Sequence, residues 1–374
     1  MKLIHFSDTH LGFNDLDAIN EAGINQREAD FYDTFTQVID AILLEKPDYV
    51  IHTGDLFHRP HPSNRAISFA LTQLKRLSSA QIKTIIIAGN HSTPRTRSAS
   101  PILLALRTLD YVYPVFEEAY EKVEFDDVAF HCIPHINDEM ENLKAIELCE
   151  NSLVEGKRNI MMLHCSVGQK YIMEEYGERV YPHEKESLFS QMDYVALGHW
   201  HGFGKVGKHP NVYYAGSTER TSSADTRFDK GFMRIKLDET LQVSLQTITL
   251  RPSYKLTIDA TKDIIFQLEE YAQTNDCNGS LLYITLENLT ITQSIDISNH
   301  NIETIFPTAL SVQIQRKFAQ TQSSISSESV NAASLQEYFS SFLKEQSGDE
   351  NEFERLNTKV TELFAQYNEV NDDA

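Results

Sequence analysis

Five short apolar runs in this chain each end at a residue type that can bind a cation. Leu3-Ile4-His5-Phe6 leads into Ser7-Asp8-Thr9-His10, and Tyr49-Val50-Ile51 leads through His52-Thr53-Gly54 to Asp55. Thr84-Ile85-Ile86-Ile87-Ala88 leads into Gly89-Asn90-His91, Ile160-Met161-Met162-Leu163 into His164, and Tyr194-Val195-Ala196-Leu197 into Gly198-His199-Trp200-His201. Runs this short, closed by polar or glycine-containing turns, read as buried strands. In open α/β sheets, ligands bind beyond the carboxyl ends of the strands. Strand residues alternate between faces, so a residue at each end can point into one shared crevice. The chain is therefore expected to be an α/β protein whose strands deliver Asp8, His10, Asp55, Asn90, His91, His164, His199 and His201 to one place.

Imidazole and carboxylate together suit Mn, Fe or Zn better than Ca. Asp55 has two oxygens and can bridge two cations. Each piece alone is weak. Asp-x-His is more often a turn or a cap, and Gly-Asp is a common turn dipeptide. Gly-His-x-His is more specific, because imidazoles two apart on an extended segment face the same way. The repetition of the pattern after every run is what carries the reading.

This order of motifs resembles the calcineurin-like metallophosphoesterases, whose pattern is Asp-x-His, Gly-Asp, Gly-Asn-His, a lone His and Gly-His-x-His. Phe6-Ser7-Asp8-Thr9-His10-Leu11-Gly12 and Gly54-Asp55-Leu56-Phe57-His58-Arg59-Pro60 are similar to the SbcD-type (Mre family) nucleases of double-strand-break repair. The resemblance is strong over residues 1–235 and weaker beyond. It implies a four-layer α/β (α+β) metallophosphoesterase β-sandwich flanked by helices over residues 1–250. A small α+β DNA-capping domain would follow over 251–318, then a linker at 319–333 and a helical partner-binding segment at 334–374.

Carried over motif by motif, the resemblance implies two Mn²⁺, with Mg²⁺, Fe²⁺ or Zn²⁺ as alternatives. One would take Asp8, His10, Asp55 and His201, and the other Asp55, Asn90, His164 and His199. His91 would be a proton donor and no ligand, and His58 a second catalytic histidine that orients a DNA phosphate. The implied activity is that of a 3′–5′ exonuclease and single-strand or hairpin endonuclease. The implied partners are DNA, a second copy of the chain and an SbcC-type, SMC-like coiled-coil ATPase. One departure is that Ser92 stands where the family usually has Asp, a residue placed to orient the donor histidine. The competing function is a calcineurin-like phosphatase or cyclic-nucleotide phosphodiesterase. It is disfavoured by His58-Arg59-Pro60 and the long C-terminal extension. A non-enzymatic scaffold would require a lost ligand, and none is lost.

Charge bears on the DNA reading. Lys+Arg 33 against Asp+Glu 54 gives a net charge of −21. Nonspecific DNA affinity comes mainly from cations at phosphates, so part of the grip is expected to come from a partner. The scattered Cys132, Cys149, Cys165 and Cys277 argue against a disulfide framework, and Cys165 beside His164 reads as a small neighbour of a ligand. The N-terminus is no signal peptide and no apolar run approaches membrane length. A cytoplasmic protein is expected, nucleoid-associated if prokaryotic, with no membrane contact.

Between the motifs, Phe31, Phe35, Val38, Ile39 and Ile42 recur at helical spacing, and Arg27 and Glu28 before them read as capping or solvated. Ser63 is the expected N-cap of a helix bearing Ile67, Ala70, Leu71, Leu74 and Leu77. With Ile102, Leu103, Leu106 and Leu109, this region either packs on the sheet or, as the resemblance to SbcD-like proteins implies, forms the homodimer contact. His131 and His135 are expected to be structural. Residues 168–186 form a long tyrosine-rich loop that either flanks DNA or packs its tyrosines on its own domain. Residues 212–217 and 231–237 read as strands completing a second sheet. Arg220, Arg227 and Lys230 lie between them, either as phosphate contacts or as a solvated loop. Ser334-Leu335-Gln336-Glu337 has capping-box form. The stripes Leu335–Leu343 and Phe353–Tyr367 read as two amphipathic helices, which either fold back as a hairpin on their own domain or, as the resemblance implies, grip the ATPase coiled coil.

Overall fold

A computed structural model of the chain describes residues 1–94, 96, 99–173, 178–319, 339–340 and 353–361. It divides into two units, Met1–Phe318 and Ala319–Ala374. In the second, residues 339–340 and 353–361 are helical. The expected linker beyond Ala319 and the remainder of the two tail helices lie outside the described residues.

In chain order the strands are β1 (Lys2–Phe6), β2 (Tyr49–His52), β3 (Lys83–Ile87), β4 (Val112–Val115), β5 (Glu121–Glu124), β6 (Val128–Ile133), β7 (Arg158–His164) and β8 (Tyr194–Gly198). They continue as β9 (Gly204–Lys205), β10 (Val212–Tyr214), β11 (Gly231–Leu237), β12 (Leu241–Thr247), β13 (Ser253–Asp259), β14 (Leu281–Leu289) and β15 (Ser311–Phe318). The first sheet runs β12-β11-β1-β2-β3-β4, and the second β5-β6-β7-β8-β10-β9. β11 and β12 therefore extend the first sheet, β11 antiparallel to β1 and β12 antiparallel to β11, and not the second sheet expected for residues 231–237. β11 has buried residues on both faces near its start, as a strand one place in from the edge needs.

Side-chain alternation builds the layers. Val50 and Ile86 pack towards α1 (Gln26–Glu45) and α2 (Asn64–Ser79). Their neighbours Tyr49, Ile51, Ile85 and Ile87 pack between the sheets. In β7, Ile160 and Met162 share that inter-sheet core, whereas Met161 and Leu163 pack with Ile146 and Cys149 of α3 (Glu139–Glu150). The result is a helix–sheet–sheet–helix stack. β1, β2 and β3 are mutually parallel, as are β7 and β8.

The capping chemistry is local. Asn25 accepts the N–H groups of Arg27 and Glu28 at the start of α1, and Ser63 Oγ accepts the N–H of Ala66 at the start of α2. Arg27 and Glu28 depart from expectation, being 1% and 5% exposed. Arg27 donates to Asp30 Oδ2 and to the Arg220 carbonyl, both at 2.7 Å. Asp30 also receives Arg251 at 2.6 and 2.7 Å, so the guanidinium is buried against carboxylate and carbonyl acceptors. In α2, Ala70, Leu74 and Leu77 are buried, while Ile67 and Leu71 are half-buried at the surface. β13, β14 and β15 form a separate parallel sheet. Its core joins Leu256, Ile258, Ile284 and Leu286 to Ile264 and Leu268 of α4 (Ile264–Thr274).

Candidate metal centre

The carboxyl ends of β1 and β2 are joined beyond the sheet by backbone hydrogen bonds. Asp8 N–H donates to Gly54 C=O at 3.0 Å, His10 N–H to Asp55 C=O at 2.9 Å, and Leu11 N–H to Leu56 C=O at 2.9 Å. This pairing requires unusual backbone. Asp8, His10, Asp55 and His199 have φ of 50°, 41°, 53° and 93°, where side chains other than glycine are disfavoured. Such conformations persist only where surrounding contacts over-determine them, and they concentrate at functional sites. The motif glycines answer a second constraint. A Cβ on Gly54 would overlap the His164 ring, and one on Gly89 would overlap the Asp55 carboxylate.

The side chains then converge. His164 Nδ1–H donates to Thr53 C=O at 2.7 Å. Its Nε2 meets Asn90 Oδ1 at 2.9 Å and Asp55 Oδ2 at 3.1 Å. The other Asp55 oxygen accepts His91 N–H at 2.9 Å. Across Asp55, His10 Nε2 lies 3.1 Å from His201 Nε2. Among the described residues, three sets of ligand atoms are close enough to share a cation: Asp8, Asp55 and His164; Asp8, His10 and His201; and His10, His58 and His91. Asp8, His10, Asp55, Asn90, His91, His164, His201 and His58 are thus gathered at one place. His199 is adjacent, its ring 5.4 Å from that of His164, but joins none of the three sets. Its Nε2 instead lies 3.1 Å from Glu178 Oε1.

The electrostatics suit a cation. Burial would raise the Asp55 carboxyl, but His164 and His91 outweigh it and hold the group well below the usual range. Burial drives His10 well below its ordinary value, only partly offset by Asp55. His164 is the exception: burial lowers it, yet the Asp55 charge and hydrogen bond raise it to about 9. A proton on His164 Nε2 is therefore what Asp55 and Asn90 hold in the cation-free protein. A divalent cation competes for the same three lone pairs. Oxygen and imidazole donors around the ionised Asp55 carboxylate are the set that transition-metal dications prefer, so the residues present fit a dinuclear metal site.

Behind this cluster are residues that motif reasoning missed. His201 Nδ1–H donates to Asp225 Oδ2 at 3.3 Å, and Asp225 also accepts from Thr221. Lys230 is buried, donating to His201 C=O at 2.8 Å and Ser217 Oγ at 2.7 Å. It is therefore a support of the site and not the phosphate contact that its charge suggested. Arg220 donates to Arg251 C=O, and of the three expected cations Arg227 is the exposed one, lying over Phe228 and Trp200. No spacing rule marks Glu178 or Asp225; both lie in segments without periodicity.

His91 Nδ1–H donates to His58 C=O at 3.0 Å, so the orienting acceptor that Ser92 does not supply comes from the chain at residue 58. Ser92 Oγ is buried and has no hydrogen-bond partner among the described residues. His58 and His91 stack with centroids 5.3 Å apart. His131 bridges Tyr120 and Asn159, and burial pushes His135 down to about 3. The Cys165 thiol is pushed by burial up to about 12, which removes it as a nucleophile. Tyr171 packs on Trp200 and Tyr214, and Tyr181 on Phe189; Tyr176 lies outside the described residues.

Comparison with known proteins adds relatives to this geometry. The family model described as calcineurin-like phosphoesterase matches residues 1–203. A DNA double-strand break repair protein Mre11 of Thermoplasma acidophilum is 31% identical over 272 residues, covering 69% of this chain and 68% of the relative. One from Sulfurisphaera tokodaii is 29% identical, covering 79% and 75%. The D component of nuclease SbcCD from Staphylococcus saprophyticus is 27% identical, covering 69% and 71%.

Proposed function

The chain belongs to the calcineurin-like phosphoesterase family, and on that premise we propose that it is a metal-dependent DNA nuclease of double-strand-break repair. The observation that carries the reading is the meeting of Asp55 Oδ2, Asn90 Oδ1 and His164 Nε2, with Asp8, His10 and His201 on the other side of Asp55. Its relatives named as Mre11 and SbcD select DNA over a small phosphate ester. In detail it is a 3′–5′ exonuclease on duplex ends and an endonuclease on hairpins or single strands, with two Mn²⁺ as the working metals.

Asp8, His10, Asp55 and His201 would hold one cation, and Asp55, Asn90, His164 and His199 the other. When bound, the pair supplies Lewis acidity and a water of lowered pKa to a phosphodiester. Asp55 keeps its charge at neutral pH and so presents both oxygens. His91, its Nδ1–H fixed on His58 C=O, presents Nε2 as the atom that gives a proton to the leaving oxygen. His58, stacked on His91, orients the scissile phosphate. The metal-first reading of His10, His58 and His91 as a third ligand set is separated from this one by the metal content of a His91 variant.

The protein works as a homodimer through α2 and residues 102–109. Half-buried Ile67 and Leu71 line a surface cleft of about 400 Å³ with Leu109 there, and Leu104 is 44% exposed. The 251–318 module caps DNA, and the 334–374 segment beyond a linker at 319–333 binds an SbcC-type ATPase. With a net charge of −21, that partner supplies part of the DNA grip. No helix among the described residues is long and apolar enough to cross a membrane, and the site of action is the cytoplasm or nucleoid. Incubation with Mn²⁺ and, separately, duplex DNA, hairpin DNA and p-nitrophenyl esters tests the reading. DNA cleavage is expected; turnover of the esters alone would favour the phosphatase.

A further inference from the structure

Each imidazole at the end of β7 and in the loop after β8 has its far nitrogen on an acceptor. His164 Nδ1 is on Thr53 C=O, His201 Nδ1 on Asp225, and His199 Nε2 on Glu178. The first two leave Nε2 for a cation, whereas His199 alone is held by Nε2, which leaves Nδ1 as its lone-pair nitrogen. We propose that Glu178 is a positioning residue of the metal site, fixing the His199 ring and tautomer so that Nδ1 serves the cation shared with Asp55, Asn90 and His164. The inference rests on the two-metal reading above.

Several contacts make Glu178 more than a loop staple. Its side chain is 6% exposed and that of His199 3%. Oε1 accepts the Ser166 hydroxyl and, at 2.9 Å, Met173 N–H. Ser166 lies two residues after His164 and is tied to the same segment, its N–H donating to Arg179 C=O and its C=O accepting Tyr181 N–H, both at 2.8 Å. The carboxylate is thus anchored to the end of the strand that supplies His164 while it holds His199.

The main chain of His199 is clamped separately. Its N–H donates to both oxygens of Asp8 at 3.1 Å, and its φ of 93° is disfavoured for a side-chain-bearing residue. With the backbone fixed, the ring direction is the freedom left, and Glu178 is the contact that sets it. Carboxylates behind metal-binding histidines fix tautomer and orientation, and their loss weakens metal binding by roughly 10–100-fold.

The test uses the full chain as wild type, Glu178→Ala and Glu178→Gln, titrated calorimetrically with Mn²⁺ after metal removal. Histidine side-chain ¹⁵N spectra are recorded on the metal-free proteins. Wild type should bind two Mn²⁺. Glu178→Ala should keep one affinity and weaken the other by on the order of 100-fold, and Glu178→Gln, which keeps an accepting oxygen, by on the order of 10-fold. The His199 Nε2–H signature should be lost in Glu178→Ala. Wild-type affinity at both positions in a folded variant would overturn the proposal, and if Glu178→Ala does not fold, Glu178→Gln decides. Fewer than two Mn²⁺ on wild type refutes the two-metal reading; the ¹⁵N tautomer then still decides the role of Glu178, and an unchanged signature in a folded variant overturns it.

Discussion

Both carboxylate oxygens of Asp8 accept the backbone N–H of His199, each at 3.1 Å. Asp8 follows β1 in the first sheet and His199 follows β8 in the second. One shared proton therefore ties the two sheets together at the point where their ligand side chains meet. The geometry of the site depends on both sheets holding their relative position, which the inter-sheet core around Ile51, Ile85, Ile160 and Met162 secures.

On the proposed reading, His91 acts on substrate while its neighbour Asn90 holds a cation. His91→Ala should retain two bound Mn²⁺ and lower the cleavage rate by roughly 10²–10⁴, the range for lost acid–base help. Metal content measured beside single-turnover rates checks this. A loss of metal in step with rate would place His91 among the ligands, as its proximity to His10 and His58 allows.

Stability of the metal-free protein should peak near pH 6.5. Burial lowers His5 to about 3, with His52 adding to the shift, and burial lowers His52 to about 3 against a partial offset from Asp55. Below the ordinary value of 6.5 the unfolded chain takes up protons that these two refuse, so stability falls as pH falls. His164 works in the opposite direction. The folded protein keeps its proton up to about 9, so that contribution is fully present below 6.5 and is lost as pH rises towards 9. On the proposed two-metal reading Mn²⁺ competes with this proton, and its affinity should therefore rise with pH over the same interval. Thermal melts in EDTA and in Mn²⁺ check both limbs; a melting temperature still climbing at pH 9 in EDTA contradicts the alkaline one.

Lys230 is a buried cation 3.4 Å from Asp225. Lys230→Met leaves Asp225 without it, and breaking such a pair typically costs about 3–5 kcal/mol. Chemical denaturation should show the loss. The salt dependence of DNA binding should not change, whereas removal of a phosphate contact lowers that slope by about one.

Truncation after Phe318 should leave Mn²⁺ binding and basal cleavage of short DNA nearly unchanged. It should abolish association with the coiled-coil ATPase. The stripes Leu335–Leu343 and Phe353–Tyr367 bear aromatic side chains whose full burial is worth roughly 1.5–3 kcal/mol each, which is the expected source of that affinity. Size-exclusion chromatography with the ATPase checks it, and co-elution of the truncated chain would put the binding surface elsewhere.

The convergence of the strand-end residues was legible because chemistry and periodicity coincide there: an apolar run fixes the strand, and the polar residue that ends it has one place to go. The α/β class followed from the same runs. Glu178 and Asp225 were not legible, because a carboxylate behind an imidazole is set by tertiary approach and leaves no spacing in the chain. Lys230 and Arg27 misled for a related reason. Charge in a loop or at a helix start suggests solvent, but each is surrounded by acceptors brought from distant segments. The placement of β11 and β12 beside β1 was likewise hidden, since alternation specifies a strand and not its partner.

The most direct test of the two-metal site is anomalous X-ray diffraction at the manganese edge from crystals grown with Mn²⁺, for wild type and Asp55→Ala. Wild type should show two peaks about 3.5–4 Å apart, one on each side of Asp55, and Asp55→Ala should lose at least one peak together with DNA cleavage. A single wild-type peak, a peak centred on His10, His58 and His91, or two undisturbed peaks with full cleavage in Asp55→Ala would contradict it.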